Sequence, residues 1–226
     1  MPSKNGAAVI AFPGRKGPQK QARMLVRHGY GVLLFDRRGE GESDGDPNVF
    51  GWAMDKDLKG AADFLQHRHD VDPNRIGGIG LSVAGEMLLQ AAAESSVFRA
   101  VVSEGAGARS IRENLEKPRK LTTLGDLGLS FVLTAGTALF SNRMPPPDLK
   151  YLVGRIAPRA VFFVYALHGT AGEEKQLNPK YYAAAGEPKQ IWEIAEASHT
   201  GGIDARPREY ERRVVGFFDR ALLRRS

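Results

Sequence analysis

Arg75-Ile76-Gly77-Gly78-Ile79-Gly80-Leu81-Ser82-Val83-Ala84-Gly85 decides the fold. Up to Leu81 it is a short apolar run of strand length. From Val83 it opens an Ala/Leu-rich helix over 83–94, with only Ser82 between the two. A serine on such a sharp strand-to-helix turn is lifted clear of the sheet, beside the backbone N–H groups that begin the helix. Gly80, Ala84 and Gly85 are the small residues the turn needs, because strand and helix backbones approach closely there. The literal G-x-S-x-G pattern occurs elsewhere, at Gly41-Glu42-Ser43-Asp44-Gly45. That copy lies in a polar, glycine-rich loop running into Asp46-Pro47-Asn48, without a strand before it or a helix after it. Ser82, not Ser43, is the expected nucleophile.

Outward from this turn, apolar β-rich runs alternate with amphipathic helical segments. Strands are predicted at Ala7–Phe12, Tyr30–Phe35, Arg75–Leu81, Phe98–Ser103, Ala160–Ala166 and Lys189–Ile194. Helices are predicted over 18–28, 52–67 and 83–94, and again from near Pro207. Asn178-Pro179 reads as an N-cap followed by a first-turn proline, opening a further helix through Ala185. The alternation implies an α/β fold: a doubly wound, mostly parallel sheet of about six strands with helices on both faces. Residues 107–156 interrupt it and read as an inserted helical flap within a single domain, 1–226.

Composition narrows the function. The 226 residues are 42% hydrophobic and 26% charged, as in ordinary globular proteins, which excludes disorder, collagen and coiled coil for the whole chain. Without cysteine there is no disulfide, thiolate zinc site, iron–sulfur cluster or cysteine nucleophile. The net charge of +6 does not signal nucleic-acid binding. Its densest basic cluster, Arg206, Arg208, Arg212, Arg213, Arg220, Arg224 and Arg225, lies on a C-terminal amphipathic helix and reads as a solvated face. The polar start carries no signal-peptide pattern, so a cytoplasmic location is expected. Leu121 to Phe140 has about the length of a membrane span but contains Asp126 and several glycines, so no stable span is expected.

A serine needs a base. Of the histidines, His67 and His69 end a helix, and His28 precedes a strand at its N-terminal edge. Sites of parallel sheets lie at the carboxyl ends of strands. That leaves His168 and His199, and His199, in the loop before the last helix, is the expected base. Activity is then expected to rise with pH as one histidine titrates, near pH 6–7 if its pKa is close to the unperturbed value of about 6.5. The acid that orients it should follow the fifth or fourth strand. Glu174 is the first choice and Glu173 the second, with Glu104 behind them.

Asp36-Arg37-Arg38-Gly39-Glu40-Gly41-Glu42-Ser43 resembles the D-x-R-G-x-G-x-S signature of the α/β-hydrolase superfamily, which makes Ser43 a structural loop serine. The chain order serine, acid, histidine is similar to that superfamily too. Pro188 to Trp192, with His199-Thr200-Gly201-Gly202, looks like the closing segment of its dienelactone-hydrolase-like and prolyl-oligopeptidase-like esterases. Pro13-Gly14 departs from the usual His-Gly after the first catalytic strand. The resemblance implies an oxyanion hole formed by the N–H groups of Val83 and Arg15.

These residues together imply a serine hydrolase cleaving small-molecule carboxylic esters through an acyl-enzyme, with no metal or organic cofactor. A prolyl-oligopeptidase-like peptidase or amidase, or a non-catalytic binding protein on the same fold, are the alternatives. The family's two leading strands do not precede Ala7, so the apolar strand 30–36 becomes a sheet edge. Such an edge invites pairing, so a cover is expected, from a homodimer through 30–36 or from residues upstream of Met1.

Overall fold

The computed structural model describes residues 1–14, 17–45, 51–52, 55–115, 124–141 and 144–223. The strands are β1 (Ala8–Phe12), β2 (Gly31–Leu33), β3 (Ile76–Leu81), β4 (Ala100–Glu104), β5 (Ala160–Ala166) and β6 (Lys189–Ile194). The helices are α1 (Gln19–Arg27), α2 (Asp55–Gln66), α3 (Val83–Glu94), α4 (Ile111–Leu115), α5 (Leu124–Ser141), α6 (Leu149–Leu152), α7 (Glu173–Ala184), α8 (Gly202–Ala205) and α9 (Pro207–Phe218).

The strands form one sheet in the order β2-β1-β3-β4-β5-β6, every pair parallel. This is the doubly wound, parallel six-stranded sheet that the sequence predicts. The chain returns past β1 to β3, so the order reverses there and a crevice opens at the carboxyl ends of those strands.

Side chains of a strand alternate between faces, and β1 shows the consequence. Ile10 and Phe12 join a core with Leu58 and Leu65 of α2, Met87 and Leu88 of α3, Leu149 and Leu152 of α6, and Tyr181 of α7. Val9 and Ala11 join the opposite core with Met24 and Leu25 of α1 and Tyr210, Val214 and Phe217 of α9. The strands are apolar on both faces because both faces are covered. Part of the basic cluster of the C-terminal helix is paired on its surface: Arg213 bonds Glu209 at 2.8 Å and lies over the Trp192 ring. Arg206 pairs with Glu196 and Glu209.

One predicted helix start is wrong. Asn178-Pro179 lies inside α7, which begins at Glu173. Asn178 is fully buried, and its side-chain amide donates to Ala106 O at 2.9 Å and Glu174 O at 3.0 Å. It ties the helix to the loop after β4 instead of capping it. Proline is tolerated there because the tertiary contacts of α7 outweigh one missing backbone bond.

At the sheet edge, Met1 exchanges backbone hydrogen bonds with Val32, at 2.8 Å and 3.0 Å. Gly31, the neighbouring residue, donates to the O of Ala7, just before β1, at 2.9 Å, so Met1 lies on the far side of β2. The chain's own first residues therefore occupy part of the edge.

Candidate active site

Ser82 stands between β3 and α3 with φ 57° and ψ −130°. A non-glycine residue in that half of the backbone map costs about 1–3 kcal/mol and persists only where its surroundings enforce it. Close packing does so here. A Cβ on Gly80 would lie 2.4 Å from Ala84 O, so no side chain fits at that position. Ala84 is fully buried in the same contact. The turn thus forces the serine side chain outward.

The loop after β6 brings His199 to this serine: Nε2 lies 2.8 Å from Ser82 Oγ. On the other side of the ring, Nδ1 lies 2.6 Å from Glu174 Oε1. Glu174 is in the first turn of α7, fully buried. Its second oxygen accepts the Ala166 N–H at 2.9 Å, where β5 ends. Three strand ends thus contribute one continuous hydrogen-bonded chain, Ser82–His199–Glu174.

Electrostatics follow from that contact. The Glu174 carboxylate bonded to Nδ1 raises the His199 pKa above its ordinary value. Burial opposes the rise, while the charges of Glu174, Glu104 and Glu86 add to it. The direction is upward because a buried carboxylate bonded to the ring favours the imidazolium.

The other weighed acids are placed elsewhere. Glu173 accepts the Ala108 N–H and holds the loop after β4. Glu104 is buried at the end of β4, accepting the Gly202 N–H at 2.8 Å and the Tyr210 O–H at 2.6 Å. It latches the segment just beyond His199 onto α9. Of the remaining histidines, His168 and His69 are exposed. His28 bonds Glu211 at 2.7 Å, and His67 bonds the Asp63 carbonyl at 2.7 Å.

Ser43 is far from this chemistry in role. Its hydroxyl donates to Asp36 O at 2.7 Å, and the Asp36 carboxylate accepts the Glu42 N–H at 3.2 Å. The signature residues Arg37 and Arg38 pair with Glu40 and Asp57. The motif is a knot that closes its own loop.

Of the two expected oxyanion donors, Val83 is the first residue of α3, where a helix N–H has no acceptor within the helix. Arg15 lies outside the described residues. Gly14 precedes it and packs so tightly under the serine turn that an added Cβ would be 2.5 Å from Leu81 O. The Pro13-Gly14 turn therefore passes beside Ser82.

The sequence reading missed two elements. Thr170 Oγ1 lies 3.3 Å from Glu174 Oε1 and 3.1 Å from His199 Nδ1, so it flanks their bond. Gly169 beside it leaves room for the carboxylate, since a Cβ there would sit 1.9 Å from Glu174 Oε1. A Gly-Thr pair two residues beyond the end of β5 was the available signal. The Glu104–Tyr210 latch is the second, and Tyr210 was hidden among the apolar residues of its helix face.

Among the described residues, no group of His, Asp and Glu is arranged to hold a metal ion. A family model described as X-Pro dipeptidyl-peptidase (S15 family) matches residues 10–201. The uncharacterized protein YfhR of Salmonella typhimurium is 30% identical over 234 residues, covering 98% of this chain and 74% of that protein. Among solved structures, the α/β hydrolase GrgF of a Penicillium species has a TM-score of 0.74 at 19% identity, covering 98% and 92% of the two chains. An esterase of Pyrococcus furiosus has a TM-score of 0.73 at 21% identity, covering 97% and 84%.

Proposed function

The chain belongs to the X-Pro dipeptidyl-peptidase (S15) family, a hydrolase family, and from that premise we propose that it is a serine hydrolase cleaving carboxylic esters. The hydrogen-bonded chain from Ser82 through His199 to Glu174 carries this reading.

Ser82 Oγ attacks the ester carbonyl while His199 Nε2 takes its proton. Glu174 holds the ring in the correct tautomer and stabilises the imidazolium that forms. The same proton passes to the leaving alcohol, and the acyl-enzyme remains. Water then attacks the acyl carbon with His199 again as base, releasing the acid. The N–H groups of Val83 and Arg15 receive the oxyanion, each donor worth about 3 kcal/mol in the transition state. The cycle calls on no metal or organic cofactor.

The preference for esters rests on the carboxylates around the site. A dipeptidyl-peptidase needs an acidic anchor for the free amino terminus of its substrate. Here Glu174 is engaged with His199 and Glu104 with Gly202 and Tyr210. Glu86 accepts the Gly107 N–H at 2.9 Å and Glu173 the Ala108 N–H. The esterase among the structural neighbours agrees with this preference.

The family description itself supports a second reading, a peptidase acting on X-Pro bonds. Hydrolysis of a p-nitrophenyl ester series is to be measured beside an Ala-Pro p-nitroanilide. The expected result is ester turnover, fluorophosphonate labelling, and loss of both in Ser82→Ala. Turnover of the anilide above the esters would establish the second reading. Hydrolysis that survives in Ser82→Ala would refute both.

A further inference from the structure

Among the described residues, three that are not glycine have a positive φ: Ser82 at 57°, Thr170 at 46° and Thr200 at 56°. Ser82 and Thr170 touch His199, and Thr200 follows it in the chain. Backbone strain gathers at functional sites, where the surroundings enforce it. Ser82 presents the nucleophile. Thr200 turns its hydroxyl onto His199 O at 2.7 Å, within its own loop. Thr170 is β-branched, the residue class least suited to that backbone, and its hydroxyl reaches the bond between His199 and Glu174.

The surroundings of that bond show what Thr170 adds. Glycine lies against it at two places. A Cβ on Gly105 would come within 3.1 Å of His199 Cε1 and 3.2 Å of Nδ1, and one on Gly169 within 1.9 Å of Glu174 Oε1. At the third contact, Thr170 Oγ1 is 3.1 Å from Nδ1 and 3.3 Å from Oε1. Glu174 is fully buried and Thr170 is exposed, so the hydroxyl stands between the carboxylate and water. Glycine would relax the backbone at 170, yet the sequence has glycine at 169 and a strained threonine beside it.

The hydrogen count gives the hydroxyl its role. The base needs its own proton on Nδ1, so that Nε2 can take the proton of Ser82. Nδ1–H donates to Glu174 Oε1 at 2.6 Å, and the Thr170 O–H donates to the same oxygen, leaving its lone pairs toward Nδ1–H. Oε2 is held by the Ala166 N–H at 2.9 Å. On the serine-hydrolase reading of this site, we propose that Thr170 is a positioning residue. Its hydroxyl pins Glu174 Oε1 on His199 Nδ1 and closes the water-facing side of that bond.

The test compares Thr170→Ser, which keeps the hydroxyl, with Thr170→Val, which keeps the shape without it, and Thr170→Gly, which relaxes the backbone. The site is exposed, so each variant should stay folded by thermal unfolding. In ester hydrolysis, kcat should fall about tenfold in Thr170→Val and Thr170→Gly, the scale of one lost hydrogen bond to a charged group, with KM nearly unchanged. Thr170→Ser should stay within about threefold. A second readout needs no substrate: the titration of His199 followed by NMR, its signal identified by its absence in His199→Gln. The bonded Glu174 raises the pKa of this ring most, against burial, and Glu104 and Glu86 add to the rise. A carboxylate less firmly held raises it less, so the midpoint should drop by about half a pH unit in Thr170→Val and hold in Thr170→Ser. Unchanged turnover or an unmoved midpoint in Thr170→Val would overturn the proposal. So would a Thr170→Ser as impaired as Thr170→Val, or a Thr170→Gly as active as the unaltered chain. Absence of ester turnover in the unaltered chain would instead count against the esterase reading, and the NMR midpoints would still decide on Thr170.

Discussion

Helices α3 and α5 are both rich in apolar residues, and they live in opposite surroundings. On α3, Met87, Leu88, Leu89 and Ala92 are buried, and helices α2 and α6 pack around it. On α5, Phe131, Val132 and Leu139 face outward. A helix apolar on all sides is ordinarily buried, and α3 obeys that rule because the sheet and its neighbours surround it. The same composition thus does two jobs. In α3 it anchors the turn that presents Ser82, and in α5 it leaves apolar side chains exposed among the described residues.

The largest effect should come at the start of α3. Ser82→Ala removes the nucleophile without touching the packing behind it, so turnover should fall by about a millionfold while thermal unfolding is unchanged. Ser43→Ala loses one loop hydrogen bond and should lower activity by no more than a few fold. Equal losses in both folded variants would detach α3 from the chemistry.

Next is the acid that makes the serine's base effective. Glu174→Gln should lower turnover by about ten-thousandfold, because the ring loses its tautomer control and charge partner. It also changes the pH profile in a defined direction. His199 acts as a base only when neutral, and the carboxylate raises its pKa. The acid limb of the wild-type profile should therefore lie above about 6.5 and move to lower pH in the variant. Glu173→Gln should cost much less and leave the limb in place.

How much of this was legible beforehand differs between the two helices. The strand-to-helix turn was readable because its requirements are local: Gly80, Ser82 and Ala84 must be small or nucleophilic at fixed offsets. The succession of strands and helices was readable in the same local way, whereas their order across the sheet is not set by local signals. Glu174 could only be ranked above Glu173 and Glu104, because choosing among adjacent carboxylates needs the angle at which α7 leaves the sheet. Asn178-Pro179 misled for a related reason: a strong local capping signal lost to the tertiary bond from Asn178 to Ala106 O. For α5 the sequence predicted a helix in an inserted flap. Its outward apolar stripe was invisible, since exposure depends on what else packs there.

A third measurement compares the two apolar sets directly. Leu88→Ala leaves a hole in the core against β3, where Leu88 is fully buried. It should cost about 2–5 kcal/mol of stability by denaturant unfolding. A loss below about 1 kcal/mol would mean that α3 is less tightly held than its burial implies.

Glu104→Gln probes the latch with a smaller effect. The amide keeps an oxygen for the Gly202 N–H, so plateau turnover should change by no more than about threefold. The charge that helps raise the His199 pKa is gone, however, leaving Glu174 and Glu86 as the carboxylates that act on the ring. The acid limb should shift to lower pH by less than in Glu174→Gln. An unmoved limb would mean that burial, which pushes the Glu104 pKa upward, already keeps this carboxyl protonated across the working range.

The smallest effect should come from α5, and its smallness is the point. Leu139 is 82% exposed and Phe131 74% exposed, so neither side chain gains much from folding in water. Replacing both by Ala removes no buried contact and leaves no cavity, and alanine favours the helix slightly more. Stability should change by less than about 0.5 kcal/mol, a shift in Tm of no more than about 2 °C. That is several times less than Leu88→Ala, although the pair loses more apolar atoms. A loss comparable to the core variant would show that α5 is folded against the body in solution, and its apolar stripe would then be spoken for by the chain itself. A change near zero leaves that stripe unused by the fold.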